Sequence, residues 1–481
     1  MVPAASFDEK AMIRRPPIRP LAGALGLALA SCASVPHVAP GPSLLPVTSV
    51  AARETMQAPI VDWPSDEWWR RYKDAQLDRL IADALYNSPT LEVAAARVRR
   101  ADAVTSQFRA ADLPQIALGG SFAEAKASYW NGVPYAGVPK GVNDSAGVRA
   151  SLDWNLDFFG RNRAAIASAL SAADAARADA AQARLILTTS LAGAYADLLG
   201  QMRDVDLAQE SVRIRERTAD LVSRRRERGL ETLASEAQAK SALESARQAA
   251  VASTELVDLS KLRLAVIIGA GPDKSLLIER PANPDLASFG LPANLPADLI
   301  GRRPDVRASR LRVEMRAAQI KQARAGFYPS INLTGFAGPQ VLGLSQFFNP
   351  ASIVGSFGPA ISLPIFRGGA LAANLRGSRA DYDEAVASYN DALLHALSEV
   401  AQVATSERAL ADQLDHARAA QTEAEIAYLA ATARYRGGLL NYITVLTVEN
   451  TLLATRRTVA QLETRRFSLD VALVRALGGG A

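Results

Sequence analysis

The sequence predicts an internally duplicated α+β membrane protein, in which each repeat joins a strand hairpin to a long helical hairpin. Two long tracts, residues 141–271 and 365–481, contain no proline, although the chain has 25. The segments before each tract alternate apolar and polar residues, and similar short motifs recur at an offset of 208 residues. These three observations predict long helices, strands and an internal repeat, respectively.

The composition excludes several classes of function. With 481 residues, 49% of them hydrophobic and 21% charged, the chain has the composition of a folded protein. The net charge of +5 is modest and no basic block alternates with aromatic residues, so no nucleic-acid partner is expected. One cysteine and three scattered histidines predict no disulfide, no metal site and no cofactor. Beyond residue 32, no run of about 18 apolar residues is present, so any membrane crossing must use strands.

The amino terminus predicts export and lipid attachment. Several arginines precede an apolar run at residues 21–30, an order that is typical of a secretory signal. The run ends in Leu29-Ala30-Ser31-Cys32. These four residues resemble a bacterial lipobox, which implies that residues 1–31 are a signal peptide and that Cys32 carries a lipid with acyl chains such as palmitate. A simple cleaved signal with a chance cysteine is the alternative.

Residues 32–65 are predicted to form a lipidated, extended strap and not a domain. Prolines recur there at positions 36, 40, 42, 46, 59 and 64, with no helical or strand periodicity. Proline-rich segments favour extended backbone. Ala33 follows the cysteine in place of the aspartate that often retains lipoproteins in the inner membrane, so the outer membrane is the expected destination.

The proline-free tracts are rich in alanine, leucine, arginine and glutamate, which favours helices. Apolar residues recur there in alternating steps of three and four, as in a coiled-coil seam. They are Leu191, Tyr195, Leu198, Met202 and Val205, and again Leu393, Leu397, Val400 and Ala404. A glycine within each tract, Gly229 or Gly437, predicts a turn. We therefore expect helical hairpins at about residues 161–268 and 369–477. A compact helical bundle, the alternative, needs more breaks than the sequence offers.

Corresponding motifs mark the two tracts. Phe158 and Phe366 open them at an offset of 208 residues, and Arg-Glu-Arg-Gly and Arg-Tyr-Arg-Gly interrupt them at the same offset. A fixed offset indicates duplication. The first repeat is expected at residues 66–280 and the second at residues 281–481.

Each helical hairpin is expected to follow a helix and two strands. The helix of the second repeat is expected at about residues 304–325, and the strand pairs at about residues 115–158 and 330–366. The alternation is clearest where Val148, Leu152 and Leu156 are separated by polar residues. Loops rich in glycine, proline and asparagine, at residues 129–144 and 338–350, join the strands of each pair.

Four strands of about ten residues suit a membrane barrel but cannot close one, because such barrels start at about eight strands and an open edge leaves backbone groups unpaired in lipid. Copies of the chain would then share a barrel, with eight strands in a dimer or 12 in a trimer. A soluble antiparallel sheet is the alternative, since alternation alone does not distinguish lipid from a protein core.

Several motifs occur together in one order. They are Trp68-Trp69, Gly301-Arg302-Arg303-Pro304-Asp305-Val306 and Arg434-Tyr435-Arg436-Gly437-Gly438. In this order they resemble the TolC-like outer-membrane factor family, and within it the OprM/NodT-type efflux lipoproteins. The resemblance implies a homotrimer whose 12-stranded outer-membrane β-barrel stands on an α-helical periplasmic barrel. It also implies passive transmembrane transport in multidrug resistance, with a periplasmic adaptor (membrane fusion protein) and an inner-membrane pump of the RND type as partners.

By the same resemblance, the hairpin turns form a periplasmic tip that is closed at rest. Relatives often carry an aspartate gate after the second turn, where this chain has Thr447, and Ser235 stands in the comparable place of the first hairpin. An acidic gate would therefore need Glu449 or Glu236 to face the pore. The candidate gate and adaptor-docking residues are Arg226, Arg228, Gly229, Ser235, Arg434, Arg436, Gly437, Thr447 and Glu449. A solvated helix cap is the alternative for the arginines.

Three other functions are alternatives to an efflux channel. A type I protein secretion duct shares the architecture, and a periplasmic adaptor lipoprotein would have one helical hairpin and not two. An enzyme is not expected, because the sequence has neither a phosphate-binding loop nor a set of nucleophile, acid, base or metal ligands in a recognisable spacing.

Overall fold

The computed structural model describes residues 35, 41–46, 54–126, 128, 130, 140–286, 288–293 and 295–480. The predicted signal peptide, Cys32 and parts of the strap lie outside the described residues. The strands are β1 (Gln115–Lys126), β2 (Val142–Leu156), β3 (Ser330–Leu342) and β4 (Ile353–Ser362). The helices are α1 (Ala75–Asn87), α2 (Pro89–Ala111), α3 (Arg161–Glu227), α4 (Leu233–Ile267), α5 (Leu295–Arg302), α6 (Pro304–Ala325), α7 (Ala370–Arg436) and α8 (Tyr442–Leu477).

The chain divides into two compact units. The first is built on residues 106–168 and 316–382, and it contains the sheet. The second comprises residues 42–105, 169–315 and 383–481, and it contains α1, α4, α5, α8 and the distal parts of α3 and α7. The two hairpin turns, where the candidate site lies, belong to the second unit.

The first unit holds one four-stranded antiparallel sheet in the order β1-β2-β3-β4. Gln115 of β1 lies opposite Asp153 of β2, and Ser330 of β3 lies opposite Ser362 of β4. Strands β1 and β4 are the two edges. On both edge strands the apolar side chains of the alternating pattern are exposed to solvent. The exposed fraction is between 61% and 79% for Ile116, Leu118, Phe122, Ile353, Phe357 and Ile361.

The loops of the sheet differ from the sequence prediction. Strand β3 continues through residues 338–342, which were expected in a loop, because Gln340, Val341 and Leu342 pair with the start of β2. Cross-strand hydrogen bonds outweigh the local glycine and proline content there. Strand β4 ends at Ser362 and not near residue 366.

Helices α3 and α7 are each 67 residues long, or about 100 Å at about 1.5 Å per residue. Helices α4 and α8 return with 35 and 36 residues. Ion pairs between Glu216 and Arg247 at 2.8 Å, and between Arg418 and Glu463 at 2.9 Å, show that the partners of each hairpin are antiparallel within the second unit. Gly200 of α3 allows close approach to α8, because a Cβ there would lie 2.6 Å from the Thr464 side chain.

Both predicted apolar seams are buried. Leu191, Tyr195 and Leu198 are at most 1% exposed, and Leu393, Val400 and Ala404 are fully buried. The first seam packs into the main core of the second unit with aromatic residues that precede α1 and with the end of α8. These partners are Trp68, Trp69, Tyr72, Phe467 and Val471.

The Gly-Arg-Arg-Pro-Asp motif begins helix α6, as Pro304 predicted, and it also binds the end of helix α8. Pro304 is the first residue of α6. Arg303, 5% exposed, donates to the Asp305 carboxylate at 2.6 Å, to Glu399 at 2.7 Å and to the carbonyl of Ala476 near the end of α8 at 3.1 Å. One guanidinium therefore joins the start of α6 to α7 and to the last turn of α8.

No helix among the described residues has an apolar stretch long enough to cross a bilayer. In the same part of the chain, no cluster of histidine, cysteine, aspartate and glutamate side chains has the arrangement of a metal site.

Candidate functional site

The two hairpin turns have the same backbone construction. Gly229 follows α3 with φ of 73°, and Gly438 follows α7 with φ of 77°. The next N–H, that of Leu230 or Leu439, donates back to the carbonyl of Arg225 or Arg434 over 2.8 and 2.9 Å. This pattern is the Schellman motif, in which a left-handed glycine ends a helix and satisfies its last carbonyls.

Gly437 lies in the second turn as predicted, but the left-handed residue of that turn is the next one. Gly438, and not Gly437, has the left-handed conformation, so the turns correspond at an offset of 209 and not 208 residues. Gly437 is the residue just before it and has no positive φ. The sequence motif placed an arginine directly before glycine in both copies, but the backbone requires glycine only at the left-handed position.

The helix starts after the turns also correspond. Thr232 accepts a hydrogen bond from the N–H of Ser235 at 3.1 Å, and Asn441 accepts one from the N–H of Thr444 at 3.0 Å. Ser235 is therefore the counterpart of Thr444, so its proposed equivalence to Thr447 was wrong by this register. Thr447 lies one turn further along α8, where it is exposed and donates to the Ile443 carbonyl at 2.9 Å.

Glu236, beside the first turn, is almost fully partnered. It is 6% exposed and accepts hydrogen bonds from Ser223 at 3.0 Å and from Arg226, and it forms an ion pair with Lys240 at 2.8 Å. Hydrogen bonds from Lys240, Arg226 and Ser223 lower the pKa of Glu236 to about 2. Glu236 therefore stays ionised and faces its own hairpin.

The second turn is held against the first by Tyr435. Its hydroxyl donates to Glu231 at 2.8 Å, and Arg225 donates to its carbonyl at 3.0 Å while lying 4.8 Å from the ring centroid. Burial, and then the hydrogen bond to Glu231, raise the pKa of the Tyr435 hydroxyl. A small apolar core surrounds these contacts; its other members are Ala219, Val222, Ala239, Tyr442 and Val445.

Glu449 is a residue of α8, about two turns beyond the start of that helix, and its side chain contacts α3. It is 1% exposed and accepts one hydrogen bond, from Thr218 at 3.0 Å. Arg215 approaches its Oε1 only to 3.7 Å and donates instead to Asn450 at 2.8 Å. Oε1 of Glu449 has no hydrogen-bond partner among the described residues. Burial raises the pKa of Glu449, although Arg215 and Thr218 act in the opposite direction.

Neither acidic residue supplies the exposed charge that an acidic gate would need, because Glu236 and Glu449 are both buried within this chain. Their positions could not be read from spacing alone. Local sequence carries no signal for Arg215 and Glu231 either, because their partners lie more than 200 residues away in the chain. Tyr435 lies within the Arg-Tyr-Arg-Gly motif, and this motif was the available sequence signal for the contact between the two turns.

Three candidate arginines remain free at the turns. Arg228, Arg434 and Arg436 are exposed and form no ion pair within the part of the chain that the structure describes. Arg226 and Arg224 are instead paired with Glu236 and Asp220. Exposed apolar side chains accompany the free arginines: Leu230, Leu233, Leu439 and Ile443, each 59% to 77% exposed. We call Arg228, Arg434, Arg436 and these four residues the tip surface.

Two strand pairs form one open antiparallel sheet with apolar edges, and each pair is followed in the chain by a helix about 100 Å long and a shorter return helix. This organisation is typical of outer-membrane channel subunits. The sequence model of the outer membrane efflux protein family matches residues 80–270 and 295–479. The chain belongs to this family, and the predicted resemblance is confirmed.

Individual relatives agree with this assignment. The chain is 34% identical to the fusaric acid resistance protein FusA of Burkholderia cepacia, over 74% of this chain and 68% of that protein. It is 30% identical to the multidrug resistance outer membrane protein MdtP of Escherichia coli K12, over 87% of each. The crystal structure of the outer membrane protein VceC from Vibrio cholerae superposes with a TM-score of 0.83 at 40% identity, covering 87% of this chain and all of that one.

The predicted location and class of function are likewise confirmed. The chain is an outer-membrane protein of a family of efflux channels.

Proposed function

We propose that this chain is one subunit of a homotrimer that forms the exit duct of a tripartite efflux system. Small toxic molecules pass through it passively after an RND-type inner-membrane pump and a periplasmic adaptor deliver them. The observation that carries the proposal is the open sheet, whose two edge strands expose apolar residues in a single chain.

The sheet supports an oligomer, and the family resemblance favours three copies of the chain. Unpaired backbone groups at an edge cost several kcal/mol each in lipid, so β1 of one copy needs β4 of another. Four strands from each of three copies give 12, and the exposed Ile116, Leu118, Phe357 and Ile361 would then face lipid. The long helices of the three copies would continue the wall of the duct into the periplasm. A dimer with eight strands is the competing arrangement.

The tip surface is the proposed docking site for the adaptor. Among the described residues, its three guanidiniums form no ion pair, and its four apolar side chains are exposed. Gly229 and Gly437, with Gly438, shape this surface, while Arg226 and Ser235 hold the first turn together. Thr447 is the proposed pore-facing residue, and Glu449 is proposed to stabilise the closed tip from within.

The amino-terminal proposals concern anchoring. Cys32 would carry the lipid after removal of residues 1–31, and residues 32–65 would connect it to the first repeat. The relatives support small molecules as substrates, since they are named for resistance to fusaric acid and to multiple drugs. A protein-secretion duct has no comparable support from them.

Complementation tests the proposal. A strain lacking the gene receives the wild type, Cys32→Ser, or Arg434→Glu with Arg436→Glu, and its susceptibility to antibiotics, dyes and detergents is measured beside trimer content in outer-membrane extracts. We expect the wild type to restore resistance and the double charge reversal to lose it while still forming trimers. Unchanged susceptibility with a monomeric, soluble product would contradict the duct.

A further inference from the structure

A cavity of about 480 Å³ lies in the first unit, where the sheet meets three helices. Strands β2, β3 and β4 contribute residues from their ends, α6 contributes its last two turns, and α3 and α7 contribute their starts. A cavity of this volume suits a small organic molecule.

The cavity opens on the polar face of the sheet. Ile361 of β4 is exposed on the other face, and successive residues of a strand point to opposite faces. Ser362 and its cross-strand partner Ser330 therefore lie on the cavity side. Asn155 lies there as well, opposite Asn332, to which it donates a hydrogen bond at 2.7 Å. In the proposed channel the apolar face meets lipid, so this polar face would line the duct.

The lining of the cavity carries an excess of positive charge. Arg161 and Arg367 line it, are exposed, and form no ion pair within the part of the chain that the structure describes. Each lies within three residues of the phenylalanine that opens its tract, so each repeat contributes one cation. Among the described lining residues Asp157 is the only carboxylate, and it accepts hydrogen bonds from the N–H of Arg163 at 2.9 Å and from its Nε at 3.3 Å. The lining therefore favours an anion.

Two aromatic rings lie in the same lining. Phe159 and Tyr328 are stacked, with ring centroids 5.1 Å apart and an angle of 11° between the ring planes. They are 44% and 38% exposed, so parts of both rings are open to a ligand. An aromatic ligand can pack against these rings in a stacked or edge-on geometry. Neutral side chains with hydrogen-bond donors complete the lining: Gln319, Gln322, Asn374 and Ser378.

We propose that this cavity binds small planar organic anions, and that aromatic monocarboxylates are its ligand class. The stacked pair of Phe159 and Tyr328 contacts the ring of the ligand, and Arg161 and Arg367 attract its carboxylate. The binding itself depends only on the first unit. The passage of exported anions along this site rests on the proposed function.

Equilibrium dialysis of the purified full-length protein against 2-naphthoate tests the site. We expect saturable binding by the wild type and at least roughly tenfold weaker binding by Arg161→Gln with Arg367→Gln. Both arginines are exposed and without an ion pair among the described residues, so these changes should leave the fold intact. Arg376→Gln is the matched control, because Arg376 is an exposed arginine of α7 in the same unit that does not line the cavity. Equal affinity of the wild type and the double variant, or no saturable binding by the wild type, would overturn the site.

Two further comparisons test the ligand class. The neutral analogue 2-naphthamide should bind the wild type at least roughly tenfold more weakly than 2-naphthoate, because it has no charge for the arginines. Phe159→Leu keeps an apolar side chain and removes the stacked ring, so its affinity for 2-naphthoate should fall roughly fivefold. Equal binding of the two probes would exclude selection of anions, and an unchanged affinity in Phe159→Leu would exclude the aromatic contact.

Single-channel recording in planar bilayers separates this inference from the proposed function. We expect 2-naphthoate to reduce the conductance of the wild type and of Arg376→Gln reversibly, and to have no effect on the double arginine variant. A conducting wild type that does not respond to 2-naphthoate would show that the site lies outside the duct. The absence of any channel would contradict the proposed function, whereas the dialysis result decides on the site in either case.

Discussion

The two hairpin turns share a backbone design and differ in their charges. Both end a 67-residue helix with a left-handed glycine and restart with a side-chain cap. Beside the first turn, Glu236 is held by two cations and a hydroxyl. Beside the second, Glu449 has one hydrogen bond and an arginine at 3.7 Å, while the exposed Arg434 and Arg436 are free of ion pairs among the described residues.

This difference shows what duplication has preserved. The backbone requirements of a tight turn recur in both copies, whereas the side-chain partners have diverged. The first hairpin supplies Arg226 and Lys240 to its own Glu236, and it also supplies Arg225 and Glu231 to hold Tyr435 of the second. The second hairpin is therefore the one that is easier to loosen, and we expect an opening tip to move there first.

The largest expected effect comes from removing Arg215. Arg215→Gln leaves the buried Glu449 without a nearby cation, which should destabilise the α3–α8 contact by about 3 kcal/mol near neutral pH. Hydrogen exchange of amides around Glu449 measures this loss. Adding Glu449→Gln to Arg215→Gln should restore most of the lost stability, because the buried charge is then removed.

Arg203→Gln is the matched control on the same helix pair. Its partner Glu463 is 37% exposed at 3.8 Å, so the cost should stay below about 1 kcal/mol. Equal effects of the two arginine changes would remove the distinction between the buried and the exposed pair.

A smaller effect separates the two glycines of the second turn. Gly438→Ala places a side chain at φ of 77° and should cost about 1–2 kcal/mol of local stability. Gly437→Ala, one residue earlier, meets only an ordinary contact at 3.5 Å and should be neutral or slightly stabilising. Hydrogen exchange of the Leu439 amide measures the effect of both substitutions on local stability. A larger cost at Gly437 would restore the register that the sequence suggested.

Tyr435→Phe should weaken the link between the hairpins by about 1 kcal/mol, because it removes the hydrogen bond to Glu231 and keeps the ring. Tyr442→Phe, in the same apolar core, is the control and should change stability by less than about 0.5 kcal/mol. Thermal unfolding and amide exchange near the turns compare them. If both changes cost the same, Glu231 does not hold the second hairpin.

The two glutamates should respond to pH with opposite signs. The pKa of Glu449 is raised, so its contact is most stable below its ordinary pKa and loses stability as pH rises through the raised value. The pKa of Glu236 is lowered to about 2, so its stabilisation is present above its ordinary pKa and is lost as pH falls towards 2.

Amide exchange at both turns between pH 2 and pH 8 measures these responses. Glu449→Gln should abolish the dependence at the second hairpin and leave the first unaffected. A second hairpin that is more protected at high pH would contradict the assignment.

Features set by local pattern could be predicted from the sequence. The absence of proline predicted helical hairpins where α3 with α4 and α7 with α8 are found, and the three-and-four spacing predicted the buried seams at Leu191 and Leu393. Pro304 indicated the start of α6. These predictions held because each depends on neighbours within a few residues in the chain.

Features set by distant partners could not be predicted. The extension of β3 depends on its pairing with β2, and the burial of Glu449 depends on α3 more than 230 residues away. Gly437 and Gly438 are indistinguishable in sequence, and only the backbone conformation separates them. The second role of Arg303, at the end of α8, has no local signal either.

Conductance through the reconstituted full-length protein tests the central claim most directly. Wild type, Arg215→Gln and Arg203→Gln are inserted into planar lipid bilayers and their single-channel conductances are compared. We expect a small conductance from the wild type and from Arg203→Gln, and a severalfold larger one from Arg215→Gln, whose second hairpin is loosened. The absence of any channel would contradict the duct, and equal conductance from all three would contradict its closure by the second hairpin.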